Sequence, residues 1–310
     1  MARRKQQKYP PWAVAAVLVV CVVAGVLSSL QHRTPAQTQQ TAAHVQPGSA
    51  QVYFLDVGQG DSQLIRLKSG KTILIDAGTG ETAKKLTDYL KQLGIKRIDY
   101  LVATHPHADH IGGMAQVVNS LDIGDIYMPK IPDKQVPTTA TYENLLKAID
   151  KKGLKITAAK AGMTILDSGD EKLVTLAPNA AKYSDLNNYS VVTKLTVGSK
   201  SFLFAGDAET DSEKEMVAKR YDLKADVLKL GHHGSSTSTS AAFLKAVNPS
   251  SAIVSCGVNN DYGHPHKETI SRLQKAGVTI YRTDKQVTIL ALCDGKSIEF
   301  KTNQKSVIKS

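Results

Sequence analysis

Cysteine, aromatic side chains and N-terminal acid are what this 310-residue sequence has least of. Three cysteines, an odd number, imply no disulfide framework. Cys21 falls in an apolar run, and Cys256 and Cys293 sit in apolar, strand-like surroundings where a buried thiol is commoner than a bridge. Aromatics make up 5% of the chain, so its core must rest on Val, Ile, Leu and Ala, which suits buried β-strands covered by helices. No Gly-rich phosphate loop, Ser-His-Asp triad or heme-attachment motif competes for a catalytic role. What is present, 42% hydrophobic and 22% charged residues, is the composition of a folded globular protein of one large or two small domains.

Charge and hydropathy divide the chain. Residues 1–50 hold Arg3, Arg4, Lys5, Lys8 and Arg33 and no acid, which leaves 34 basic against 28 acidic residues, a net +6, in residues 51–310. Such a surface favours an anionic partner such as nucleic acid, a teichoic-type polymer or anionic lipid, or else simply keeps the domain soluble. After the basic tip, an apolar run from Trp12 to about Leu30 measures about 28 Å as a helix, enough to cross a bilayer. An uncleaved single-pass anchor is favoured over cleavage after Ser28 or Ser29 and secretion, because the run exceeds an ordinary signal peptide's apolar stretch. The basic end then stays cytoplasmic and everything beyond Leu30 lies outside the membrane. The expected organisation is a basic tip and membrane anchor at 1–30, a Gln-, Thr-, Ala- and Pro-rich linker at 31–50, a folded domain at 51–303 and a tail at 304–310.

Within the folded domain the pattern predicts strands at Val52–Val57, Gln63–Leu67, Lys71–Ile75 and Tyr100–Ala103, with helices at Glu81–Leu93 and Gly112–Asn119. Later strands are expected near 173–176, 191–197, 201–204, 227–230, 252–255, 279–281 and 287–292. Helices are expected near 141–151, 212–220, 241–247 and 267–275. Strands followed by alternating strands and helices indicate a layered α/β domain.

The chemistry concentrates in Thr104-His105-Pro106-His107-Ala108-Asp109-His110, where three imidazoles and a carboxylate fall within six residues at a strand's C-terminal end. Side chains two apart in an extended segment point the same way, so His105 and His107 can share one ion. A turn at Ala108 lets Asp109 and His110 face a second. Asp207 follows a strand in a Gly-Asp step, and His232 and His233 form an adjacent pair. Asp76 either accepts imidazole N–H bonds behind the His loop or makes an Asx turn, and Asp61 either shapes the Gly-Gln-Gly-Asp turn or borders the metals. His264 and His266 either contact substrate and move protons or cap the following helix.

Together these motifs resemble the metallo-β-lactamase superfamily, and residues 51–303 are similar to the hydrolase domain of ComEC-type competence proteins. The resemblance is carried by Phe54-Leu55-Asp56-Val57-Gly58-Gln59-Gly60-Asp61-Ser62, Leu74-Ile75-Asp76-Ala77-Gly78, the His loop with Ile111-Gly112-Gly113, and Asn187-Asn188-Tyr189-Ser190. It continues through Phe204-Ala205-Gly206-Asp207-Ala208-Glu209, Gly231-His232-His233-Gly234-Ser235 and Tyr262-Gly263-His264-Pro265-His266. It implies an α/β fold, a four-layer αβ/βα sandwich with the active site along one edge. It also implies two divalent ions, zinc or manganese. His105 and His107 would hold the first, and Asp109, His110 and His232 the second, with Asp207 bridging and His233 behind the ligands or against substrate; the reverse assignment of His232 and His233 stays open. One departure stands out: no histidine lies between His110 and His232, where many dinuclear members supply another ligand to the first metal. Asn188 or Ser190 would stand there as an oxygen ligand or phosphate contact. The implied activity is hydrolysis of a phosphodiester, with DNA as a candidate substrate and Asp109, His233 and His264 as catalytic groups. The alternatives are hydrolysis of small phosphoesters or other esters including β-lactams, and a non-catalytic DNA- or metal-binding module.

Overall fold

A computed structural model describes residues 48–308. The expected membrane anchor and linker lie outside the described residues, apart from the linker's last three. Among the described residues no helix is long and apolar enough to cross a membrane. The chain begins with β1 (Ala50–Phe54), β2 (Gln63–Arg66), β3 (Thr72–Ile75), β4 (Arg97–Val102), β5 (Asp122–Pro129) and β6 (Ile156–Ala159). It continues with β7 (Thr164–Ser168), β8 (Glu171–Thr175), β9 (Thr193–Val197), β10 (Lys200–Phe204), β11 (Val227–Lys229), β12 (Ser251–Val254) and β13 (Thr279–Arg282). β14 (Thr288–Cys293) and β15 (Ile298–Gln304) close it. One sheet has the order β15-β14-β1-β2-β3-β4-β5-β6 and the other β13-β12-β11-β10-β9-β8-β7.

Strand periodicity accounts for the layering. Val52, Phe54, Ile65, Ile73, Ile75 and Val102 of the first sheet share one core with Leu195, Val197, Phe202, Phe204, Val227 and Ile253 of the second. The opposite phase of the second sheet, Leu203, Leu228, Ala252 and Val254, packs beneath helices through Met216, Phe243, Leu244, Val247 and Leu273. Side chains alternate faces along a strand, so each buried strand must be apolar on both. Truncating Phe202 or Phe204 to Ala should cost about 3–5 kcal/mol.

Parallel pairing needs crossovers, and helices supply them. On the first sheet, β3, β4, β5 and β6 run parallel, joined by α1 (Ala83–Gln92), α2 (Ala108–Ile111) with α3 (Met114–Ser120), and α4 (Ala140–Lys151). On the second, β10, β11, β12 and β13 run parallel, joined by α5 (Thr210–Ala218), α6 (Ala241–Val247) and α7 (Lys267–Lys275). Helix ends carry local signals: Ser240 Oγ accepts from Phe243 N at the start of α6, whose end turns left-handed at Asn248. A short α8 (Thr283–Gln286) precedes β14.

Sequence patterning does not find β5, β6, β7 and β15. β5 contains Gly124, two acids and Pro129, while β6 and β7 are short edge strands with several exposed residues. Nor do residues 304–310 form a loose tail over their described part. Ser306 Oγ donates to Asp56 Oδ2 at 2.7 Å and Val307 is fully buried. Cys256 and Cys293 are free, buried thiols.

Candidate metal centre

The site residues come from loops at one edge of the sandwich. Asp76 follows β3, the His loop follows β4, Asp207 follows β10, His233 follows β11 and His264 follows β12. Each loop leaves the carboxyl end of a parallel strand, the crevice where open α/β sheets bind ligands.

The His loop is extended as far as His107 (φ −83°, ψ 149°) and then coils into α2. The extended part sets His105 Nε2 3.0 Å from His107 Nδ1. Two nitrogens on one tetrahedral ion at about 2.1 Å each stand about 3.4 Å apart, so this pair is close to ligand spacing. The helical turn carries Asp109 and His110. Asp207 meets the histidines from both parts of the loop and from beyond β11: Oδ2 lies 3.8 Å from His105 Nε2 and 3.7 Å from His233 Nε2, and Oδ1 lies 3.2 Å from His110 Nε2. The Gly206 before it has φ +53°, and a Cβ there would meet Thr104 and Ser190 at 3.0–3.1 Å, so a side chain is disfavoured twice over.

Ligand-type atoms of Asp109, His110, Asp207 and His233 all lie within 4.8 Å of one another. His110 Nε2 and Asp207 Oδ1 are buried without a hydrogen-bond partner, a costly state that a divalent cation between them would relieve. Burial lowers the proton affinity of His110, but Asp207, Asp109 and Asp76 outweigh it and hold the imidazole well above its ordinary range. Burial acts likewise on His233, and Asp207, Asp109 and Asp61 raise it to about 10. Both shifts show a pocket whose carboxylates draw in positive charge. The donor set and the orphaned atoms fit divalent metal ions.

The outer nitrogens are held. Asp76, itself at φ +56°, accepts from Thr104 N (2.8 Å) and Thr104 Oγ1 (2.6 Å) and lies 2.7 Å from His110 Nδ1. His233 Nδ1 lies 2.9 Å from the Ser255 carbonyl and 3.5 Å from Asp61 Oδ1. These contacts keep the proton on Nδ1 and leave Nε2 free as a ligand. Asp61, Asp76 and His110 also cluster, but Asp76 is saturated by Thr104 and His110, and Asp61 pairs with Lys229. They therefore brace the site and do not form a third ion pocket.

Several sequence expectations change. His232 was expected on the second metal; the ligand-type atoms gathered within 4.8 Å include those of His233 and not those of His232. His232 Nδ1 instead lies 2.9 Å from Glu209 Oε1, its Nε2 is 3.9 Å from Asp207 Oδ2, and its side chain is one-quarter exposed. Both histidines have left-handed backbones (φ 45° and 52°), which turns neighbouring side chains in directions no strand or helix rule foretells. Asn188 Oδ1 accepts from Glu209 N and Ser212 N, each at 3.1 Å, at the start of α5. Ser190 Oγ accepts from Asp207 N (3.0 Å) and lies 3.4 Å from His105 Nδ1, a fully buried brace behind the histidine. His266 Nδ1 accepts from Ser236 N (2.9 Å) and its Nε2 lies 3.2 Å from the Tyr262 carbonyl, so it ties two loops together.

His264 does join the centre. Its ring stacks 6.0 Å from that of His233 and meets that of His232 edge-on at 5.4 Å. Burial, then the neighbouring His233 and His232, pulls it down to about 4, so it stays neutral.

Lys229 was not singled out. It is fully buried, and its Nζ lies 2.7 Å from Asp61 Oδ2. Burial raises the Asp61 carboxyl, but Lys229 and His233 overcome this and take it to about 2. A lysine in the same inward phase as Val227 of an apolar strand is the signal that would have found it, since such a charge requires a buried partner.

Comparison with known proteins agrees with this geometry. A model of the metallo-beta-lactamase superfamily matches residues 55–258. The chain belongs to this superfamily. It is 32% identical over 258 residues to ComE operon protein 3 of Bacillus subtilis (strain 168), which covers 77% of this chain and 32% of that protein. It is also 32% identical over 276 residues to competence protein ComA of Neisseria gonorrhoeae, covering 88% of this chain and 34% of that protein. The chain thus spans about a third of the length of these relatives. Among solved structures, the Igni18 metallo hydrolase of Ignicoccus hospitalis superposes with a TM-score of 0.51 at 17% identity, over 77% of this chain and 98% of that one. The diiron β-hydroxylase CmlA of Streptomyces venezuelae gives 0.52 at 16%, over 76% and 53%. At such identities these two likenesses speak for the superfamily fold alone. With its family and donor set, the centre is that of a metal-dependent hydrolase.

Proposed function

We propose that this protein is a phosphodiesterase acting on nucleic acid, DNA in the first instance, and that Asp207 and the histidines and Asp109 around it would hold two divalent ions. The carrying observation is the convergence on one buried carboxylate, Asp207, of His105 (3.8 Å), His110 (3.2 Å) and His233 (3.7 Å), with His107 3.0 Å from His105 and Asp109 3.0 Å from His233. Divalent ions held there would lower the proton affinity of an attacking water and stabilise charge on the phosphoryl oxygens. Asp109 would align the attacking water and take its proton, because its side chain is 34% exposed while Asp207 is 3% exposed. His232, fixed by Glu209 at the open rim, is placed to contact a phosphoryl oxygen. The names of the competence-protein relatives and the basic balance of residues 51–310 support a DNA substrate. Both groups mix nitrogen and oxygen donors, which suits zinc or manganese. The basic tip and apolar run at 3–30 support an extracytoplasmic position, tethered to the cell membrane.

The test is hydrolysis of bis(p-nitrophenyl) phosphate and of single-stranded oligonucleotide by the full-length protein with added zinc or manganese. Turnover of both, abolished by Asp207→Asn and weakening steeply with salt for the oligonucleotide, is expected. Stoichiometric metal without turnover of any phosphodiester would contradict the proposal and favour a binding module.

A further inference from the structure

The loop between β12 and α7 carries an exposure pattern that the metal chemistry does not use. Tyr262 is 67% exposed and Val258 63%, the two most exposed large apolar side chains among the described residues. Both lie on this one loop, beside the centre. The Tyr262 ring packs on a site residue. The ring stacks on His264 with centroids 5.6 Å apart and planes at 19°, and His264 in turn stacks on His233 at 6.0 Å and 28°. Two ring steps therefore connect an open aromatic face to a residue whose Nε2 lies 3.0 Å from Asp109 Oδ2.

The loop is braced to hold this ring where it is. Asn260 Nδ2 donates to the carbonyls of Gly257 (3.0 Å) and His264 (2.7 Å), and its Oδ1 accepts from His264 N (2.9 Å). Gly257 N donates to Gln59 Oε1 at 3.0 Å, tying the loop to the opposite sheet. His266 accepts from Ser236 N through Nδ1 and sets Nε2 3.2 Å from the Tyr262 carbonyl. Six contacts around an exposed aromatic lower the ordering cost that a ligand would otherwise meet.

We propose that Tyr262 is a stacking platform for a nucleobase, flanked by Val258. The base belongs to the nucleotide next to the phosphate at the metal centre. This rests on the phosphodiesterase reading and narrows it: the preferred substrate is a strand with unpaired bases, not a base-free phosphodiester. Stacking is indifferent to base identity because every base has a π face, so the site selects single strands without selecting sequence. The phenolic hydroxyl has no part in it, and Phe should serve as well.

The experiment is a cycle between the ring and the base, read as equilibrium binding by fluorescence anisotropy on full-length protein with and without added zinc. The probes are a short oligothymidylate and an equally long tract of abasic deoxyribose phosphate. Wild type should bind the thymidylate about tenfold more tightly, from one stacked base. Tyr262→Phe should keep that preference, and Tyr262→Ala should lose it by weakening thymidylate binding alone. A base preference that survives Tyr262→Ala, or its absence from wild type, overturns the proposal. Cleavage of the same probes is scored separately, so a protein that shows the stacking cycle but cleaves neither refutes the phosphodiesterase reading and leaves the platform standing.

Discussion

The two groups of side chains around Asp207, His110 with His233 and His105 with His107, differ in how firmly they are built. On the His110 side, Asp76 holds one imidazole and the Ser255 carbonyl holds the other, with the buried Asp61–Lys229 pair behind it. On the His107 side, His105 is steadied by Thr104 Oγ1 at 3.1 Å and Ser190 Oγ at 3.4 Å, while His107 is partly exposed and is hydrogen-bonded through Nδ1 to His105. Outer bonds fix ring direction and ligand basicity. The braced side should therefore keep its ion more tightly, and the other should exchange ions with the solvent and adapt to substrate.

The largest expected effect comes from removing what the sides share. Asp207→Ala should lower kcat/KM about a thousandfold, the worth of several kcal/mol of charge stabilisation, with loss of both ions by metal analysis. Next is the pillar behind His233. Lys229→Met strips Asp61 of its buried lysine and should cost about 3–5 kcal/mol in urea unfolding, whereas Asp61→Leu combined with Lys229→Met should recover most of it. Equal losses in the single and double variants would show that the pair contributes no mutual compensation.

Smaller changes sharpen the contrast between the sides. Asp76→Asn should weaken the tighter ion about 10–100-fold in a chelator competition while leaving the weaker ion near its wild-type affinity. Glu209→Gln should reduce turnover less, about tenfold, because His232 stands at the rim; metal content should stay unchanged.

What could be read from the sequence follows the same division. His105, His107, Asp109 and His110 are legible because the ligands lie within six residues and the strand period separates the two pairs. Asp207 is found by its Gly-Asp step after a strand. The His232–His233 choice is not legible, since it turns on two consecutive left-handed residues that no periodicity encodes. Asn188 and Ser190 are marked by their motif, but the backbone amides of Glu209, Ser212 and Asp207 that their oxygens serve lie too far along the chain for local pattern to name. In the fold, β1 to β4 and the parallel strands of the second sheet announce themselves by apolar runs. β6 and β7 are edge strands with exposed residues that carry no such signal.

The most direct test of the two-sided centre is a competition titration of full-length protein with zinc against a chromogenic chelator, run on wild type, His107→Ala, His232→Ala and His233→Ala. Wild type should bind two ions of unequal affinity. His233→Ala should abolish the tighter event, His107→Ala the weaker one, and His232→Ala neither. A tighter event that survives His233→Ala and vanishes in His232→Ala would contradict the account.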